Sequence, residues 1–337
     1  MTQTYRFDTA TSAELAAHPL DGDIMILPVG APENHGAHLP LGTDAIVSEA
    51  LAERVGKYLA ETYPDDRVWL HPAWHLGGAT IRGVGSVKVP SRILRKTLKS
   101  YLRTFLKQGF RRFVLITAHG GVPHTGAMDD VCAWLRRKTV SGKPVQAVSP
   151  AAHIAGRAYM GLYADRLRAA GVELSEQEVG DYALDLHAGR METSMMLAID
   201  PDLVVNHHDV PPIRPPEIGW LRLLQRGIEK IIDRWNLTKE RTATAKASLA
   251  IGANDLAWII RGRNEGYVGW PHKASAAEGE VILDSVSADI AVAVFEVFEG
   301  KMSPLSLRSA AYLLRRLFAG MVAVPILIIA LLLWLLF

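Results

Sequence analysis

Apolar and polar positions along this chain fall into two alternating rhythms. Short apolar runs at Asp23–Val29, Val68–His71, Phe113–Ile116 and Val145–Val148 have strand length and β-branched content. Longer stretches with helical spacing lie between them, at about Asp44–Glu61, Ile93–Gln108 and about His124–Lys138. In Ile93–Gln108, the residues Leu94, Leu98, Leu102 and Phe105 share one face. This strand–helix alternation predicts an α/β fold with a parallel sheet. Further on, Gly156–Ala170, Glu192–Ile199, Trp220–Trp235 and Val281–Glu299 read as helices, and P-P-I-R-P-P (Pro211 to Pro216) as a stiff extended segment. Residues 1–20 read as a short lead-in. No internal repeat or long low-complexity linker interrupts the pattern.

The last stretch breaks the rhythm. Leu317–Phe337 carries no charge, and a helix of that length reaches about 30 Å, the thickness of the hydrocarbon core of a bilayer. Gly320 and Pro325 are tolerated in membrane helices. Arg308, Arg315 and Arg316 precede the stretch and favour a cytoplasmic location for everything before it. The expected division is a catalytic domain over residues 1–302, a connector over 303–316 and a single-pass membrane anchor over 317–337. The apolar residues Leu307, Ala311, Leu314 and Phe318 suggest a connector lying along the membrane surface.

Composition narrows the function. The 337 residues are 49% hydrophobic with a net charge of +2, enough for a full core and with no basic excess that would indicate nucleic-acid binding. Cys132 is the only cysteine, so no internal disulfide forms. It sits in the apolar V-C-A-W-L and reads as a buried residue, not a nucleophile.

The chemistry gathers where apolar elements end. Glu33 to Asp44, E-N-H-G-A-H-L-P-L-G-T-D, packs two acids and two histidines into twelve residues. His119 and two glycines follow the strand Phe113–Ile116. His187 and Glu192 flank a glycine turn before a helical run. Carboxylates and imidazoles are the ligands that Zn²⁺, Mn²⁺ and Fe²⁺ accept at neutral pH, and loops after parallel strands line the ligand crevice of an open α/β sheet.

These segments resemble the creatininase family of metal-dependent amidohydrolases. The matching pieces are Leu27–Asp44, H-G-G (His119–Gly121), H-A-G-x-x-E-T-S (His187–Ser194) and G-x-x-G-W-P-x-x-A-S (Gly266–Ser275), in order over roughly residues 20–300. The resemblance implies a three-layer α/β/α sandwich and two divalent ions (Zn, Mn or Fe). It implies Glu33, His35, Asp44, His119 and Glu192 as ligands, with Asp44 bridging, Glu33 and His119 on one ion, and His35 and Glu192 on the other. His187 matches the family's non-ligand histidine, suited to proton transfer to a leaving nitrogen. His38 is expected to orient a ligand, Gly120 and Gly121 to let backbone approach the metals, and Thr193 and Ser194 to cap the helix carrying Glu192. Family members often form hexamers, so a homo-oligomer is expected.

The departures alter the pocket. Where the family commonly has N-G-H-G-G-N, this chain has T-A-H-G-G-V, so Thr117 and Val122 replace two amides. Arg82, in G-G-A-T-I-R-G-V-G-S, is either a partner for a substrate carboxylate or phosphate or an ordinary surface arginine. His124 is an extra histidine placed for substrate contact. The expectation is therefore a membrane-anchored dimetal amidohydrolase that cleaves a C–N amide-type bond in a small polar molecule other than creatinine. Its alternatives are a biosynthetic peptidase, a deformylase of formylamino-pyrimidine nucleotides, and a membrane-tethered binding protein without turnover.

Overall fold

The computed structural model describes residues 4–234, 239–261 and 265–309. Among the described residues eight strands run in chain order: β1 Thr4–Arg6, β2 Ile24–Gly30, β3 Val68–Leu70, β4 Trp74–His75, β5 Arg112–Ile116, β6 Thr139–Val140, β7 Lys143–Pro144 and β8 Gln146–Val148. The α-helices are α1 Ser12–Ala16, α2 Thr43–Thr62, α3 Ser91–Gln108, α4 Val122–Leu135, α5 Ala151–Tyr159, α6 Ala164–Ala169, α7 Glu176–Asp181, α8 Arg190–Ile199, α9 Gly219–Arg234, α10 Lys239–Arg261 and α11 Ala276–Phe298.

The main sheet has the order β1-β3-β2-β5-β8, with every pairing parallel. β4 continues it beside the end of β2, and β6 with β7 form a separate antiparallel pair. Alternation along the central strands feeds two cores. Ile24, Ile26, Val114 and Ile116 face α2, α8 and α11. Met25, Leu27, Val29, Phe113 and Leu115 face α3 and α4, meeting the predicted stripe Leu94, Leu98, Leu102 and Phe105. Because β2 and β5 are covered on both faces, they read as continuous apolar runs.

Four expectations change. The lead-in is structured: β1 adds an edge strand, and a capping box between Thr11 and Glu14 starts α1. The helix predicted over Gly156–Ala170 is two helices, α5 and α6, separated by a turn in which Gly161 adopts φ +69°. α10 was not anticipated, because K-E-R-T-A-T-A-K-A-S offers no apolar stripe. Finally, residues 303–309 are not a free connector. Leu307 is buried in the first core, and the Ser309 N–H and Oγ–H donate to Asp129 Oδ2 at 3.1 and 2.6 Å. Among the described residues no helix is long and apolar enough to cross a membrane; the stretch 317–337 lies outside them.

Candidate metal centre

The carboxyl ends of β2 and β5 and the amino ends of α2 and α8 converge on one buried pocket. Glu33 and His35 sit on the loop after β2, and Asp44 lies in the first turn of α2. His119 follows β5, and Glu192 occupies the first turn of α8. The α2 terminus reaches the pocket because Gly30 lets it close on β2: a Cβ there would lie 2.2 Å from the Ala45 nitrogen. Acidic groups in a helix's first turn also gain from its dipole.

All five side chains are buried, and their ligand atoms form two clusters that share Asp44. One is Glu33, Asp44 and His119; the other is His35, Asp44 and Glu192. His119 Nδ1 lies 3.0 Å from both Glu33 Oε1 and Asp44 Oδ2. His35 Nε2 lies 3.5 Å from Asp44 Oδ1 and 3.9 Å from Glu192 Oε2. Backbone groups aim the donors. His35 Nδ1–H donates to the Glu33 carbonyl at 2.9 Å, leaving Nε2 bare. His119 Nε2–H donates to the Gly78 carbonyl at 2.8 Å, leaving Nδ1 bare. The Ile81 N–H holds Glu33 Oε2, and the Ala188 N–H holds Glu192 Oε2, each at 2.5 Å.

The electrostatics favour cations. Burial opposes charge on the two rings, but Asp44 and the neighbouring carboxylates outweigh it. His35 is pushed up to about 9, and His119 rises well above the ordinary imidazole value. Burial alone would raise Asp44, yet the two rings hold it well below the usual carboxylate range. His35 Nε2 and Asp44 Oδ2 are buried without a hydrogen-bond donor or acceptor. Three buried carboxylates around two imidazole nitrogens are expensive unless positive charge joins them, as protons on the rings or as metal ions. The donor set therefore fits divalent ions such as zinc or manganese.

The remaining predicted residues divide. His187 lies in the pocket: its Nε2–H donates to the Asn34 carbonyl at 2.9 Å, and its Nδ1 is 3.9 Å from Glu33 Oε1. Its ring lies 4.3 Å from that of His35 and 5.4 Å from that of Trp258. His187, Glu33 and His35 also form a third group with metal-ligand spacing. His38 braces the turn before α8, donating from Nε2 to the Ala188 carbonyl at 2.9 Å, with Thr193 Oγ1 at 3.2 Å. Burial pushes its pKa down to about 4, so it stays neutral. Ala188 holds φ +47° there, a strained conformation for a residue with a Cβ.

His124, expected as a substrate contact, is held by the loops around it. It is fully buried, its Nε2–H donates to Thr117 Oγ1 at 3.1 Å, and its Nδ1 accepts the Gly78 N–H at 3.4 Å. Burial, helped by His119 alongside, lowers its pKa to about 3. Thr117 also accepts the His119 N–H at 3.2 Å, so this Thr–His pair braces the loop in which the family's amide is missing. A Cβ at Gly121 would lie 2.6 Å from His119 Nε2, so glycine there makes room for that ring; a Cβ at Gly120 would meet nothing within 4 Å. Arg82 is exposed and makes no ion pair or hydrogen bond among the described residues. It adjoins Ile81, whose N–H grips Glu33. Thr193 and Ser194 do not cap α8. Asp185 does, accepting the Arg190 and Met191 N–H groups at 2.7 and 2.9 Å.

Sequence reasoning missed Asp185, Asn34, Gly78 and Trp258. Asn34 and Gly78 act through backbone carbonyls that any residue type supplies, and Asp185 through a cap whose helix start was not marked in sequence. Trp258 arrives from α10, which left no readable pattern.

A sequence profile of the creatininase family, described as creatinine amidohydrolase, matches residues 8–294. The chain is similar to a creatinine amidohydrolase of Pseudomonas putida, 26% identical over 221 residues covering 61% of this chain and 80% of that protein. It is similar to a mycofactocin precursor peptide peptidase of Mycobacterium ulcerans, 26% identical over 227 residues covering 65% of this chain and 74% of the other. It also resembles a 3-dehydro-scyllo-inosose hydrolase of Thermotoga maritima, 31% identical over 116 residues, 34% of this chain and only 35% of that protein. Among solved structures, a creatinine amidohydrolase superposes with a TM-score of 0.56 at 20% identity, over 87% of this chain and 98% of that one. A manganese form of creatininase gives 0.55 at 21% identity, covering the same shares of the two chains.

Proposed function

The chain belongs to the creatininase family, and from that premise we propose that it is a dimetal hydrolase of amide-type C–N bonds in a small polar substrate. The observation that carries this reading is the Asp44 carboxylate shared between two buried ligand clusters. Glu33, Asp44 and His119 would hold one ion; His35, Asp44 and Glu192 would hold the other. Ions held so would supply a water ionised near neutral pH and a Lewis acid for the substrate carbonyl.

The chain's own groups do the rest. The Asn34 carbonyl fixes His187 in the tautomer whose Nδ1 faces the pocket. From that atom His187 can take up a proton and deliver it to a leaving nitrogen. Trp258 backs the ring and, being only 6% exposed, keeps water from its outer side. Arg82, unpaired among the described residues and beside the Glu33 clamp, is suited to an anionic group on the substrate.

The similarity to peptide peptidases over about two thirds of the chain favours a second reading, in which the bond belongs to a short peptide. Asp44→Ala separates the metal assignment from its rivals: elemental analysis is expected to find both ions lost, and two retained ions would remove the bridge. A panel of cyclic amides, formamides and short peptides, assayed with Mn²⁺ or Zn²⁺, decides the bond. Bound metals without turnover on any of them would leave a binding protein.

A further inference from the structure

We propose that the outer face of the α9–α10 hairpin is a docking surface for a lipid bilayer carrying anionic headgroups. The two helices run antiparallel. Lys246 Nζ meets Asp233 Oδ1 at 2.6 Å toward one end, and Leu221 packs with Ala257 and Ile218 toward the other. At about 100° per residue, Trp220, Leu224 and Ile231 share one side of α9, with Leu223 extending it. Leu256, Ile259 and Ile260 line one side of α10 by the same rule. Measured from the contact residues Leu221 and Ala257, both sets turn to the same side of the antiparallel pair. All seven are exposed, Leu223 at 70% and Ile259 at 67%. The opposite side of α10 faces the protein, with Trp258 against His187 and Asn254 Nδ2 donating to the Ala183 carbonyl.

A contiguous apolar face of this kind marks an interaction site. Its charge pattern selects the occupant. α9 carries Arg222, Arg226, Lys230 and Arg234 against Glu229 and Asp233. Arg222 is paired with Glu217, but Arg226 and Lys230 make no ion pair or hydrogen bond among the described residues. Free cations bordering a Trp/Leu/Ile face are the pattern of a helix lying in a membrane interface. A two-fold contact with a second copy would instead bring the same cationic border against itself. The same chain also holds the uncharged stretch 317–337, a second element compatible with lipid. The docked face would lie one helix thickness, about 10 Å, from the catalytic pocket, whatever bond that pocket cleaves.

The test uses full-length protein incorporated into phosphatidylcholine vesicles with and without phosphatidylserine. Leu223→Cys, Ile259→Cys and, as a control on exposed α11, Val292→Cys each carry an environment-sensitive thiol probe; the native Cys132 is buried. Lipid-borne spin labels are expected to quench probes at 223 and 259 but not at 292. Adding R226Q and K230Q is expected to lower the docked-to-undocked ratio roughly tenfold or more in phosphatidylserine bilayers. Probes at 223 and 259 that stay unquenched while the protein remains on the vesicles would overturn the proposal. So would cross-links between 223 positions of two copies, which would assign the face to self-association.

Discussion

The metal pocket and the α9–α10 hairpin invert the usual rule in opposite directions. At the pocket, three carboxylates and a ring of imidazoles lie in the most buried part of the molecule. On the hairpin, Trp, Leu and Ile lie in water; the two helices share a buried cluster as small as Ile218, Leu221 and Ala257, and Trp258 and Asn254 join α10 to the body. The pocket tolerates its charges because backbone groups fix Glu33, His35, His119 and Glu192 and the donor set suits cations. The hairpin carries its apolar residues with no such compensation inside the described chain. Each misplacement thus points to something outside the polypeptide: an ion in one case, a surface in the other. α10 joins them, since Trp258 touches His187 on its inner side while Ile259 faces outward.

His187→Ala tests the join from the pocket side and has the largest expected effect. Turnover should fall on the order of a hundredfold or more, as for loss of general acid–base catalysis, with both ions retained by elemental analysis. Loss of an ion would instead make His187 a ligand of the third cluster. Ile259→Ser, on the outer face of α10, should leave turnover of a soluble substrate unchanged; a comparable loss there would mean the two faces of α10 are not separable.

A smaller effect concerns what holds the body itself. A chain ending after residue 302 should be less stable than one ending after residue 309 by about 2 kcal/mol or more, from the lost burial of Leu307 and the bonds to Asp129. Urea unfolding of the two forms measures it, and equal midpoints would return residues 303–309 to the role of a plain connector.

An effect of similar size is expected in acid. His124 and His38 stay neutral in the fold, with pKa values lowered to about 3 and about 4, but take up protons near pH 6.5 once unfolded. Above pH 6.5 neither state binds these protons. Below it only the unfolded chain does, so stability falls as the pH drops from about 6.5 toward about 4. The slope is about 1.4 kcal/mol per pH unit for each group. With metals removed by a chelator, His124→Gln should flatten that slope by one group's share in denaturant titrations at pH 7 and pH 5. An unchanged slope would mean that His124 charges within the fold.

Much of this protein was legible in one dimension. The strands β2 and β5 and the helix faces Leu94–Phe105 and Asp44–Glu61 announced themselves by period, because a sheet covered on both sides demands continuous apolar runs. The segments that hold the five ligand candidates were readable because acids and histidines gather where apolar elements end; the resemblance to the creatininase family picked out the five, and tertiary folding brings them into two clusters that share Asp44. Thr117 and His124 show where reading stops. The sequence marks His124 as an available imidazole; only packing against Thr117 and Gly78 makes it a neutral buried brace. Asn34 and Trp258 were invisible for the same reason, since their roles depend on a ring distant in sequence, that of His187. Local chemistry and periodicity are written residue by residue, whereas a side chain's neighbours, protonation and exposure exist only once segments far apart in the chain have come together.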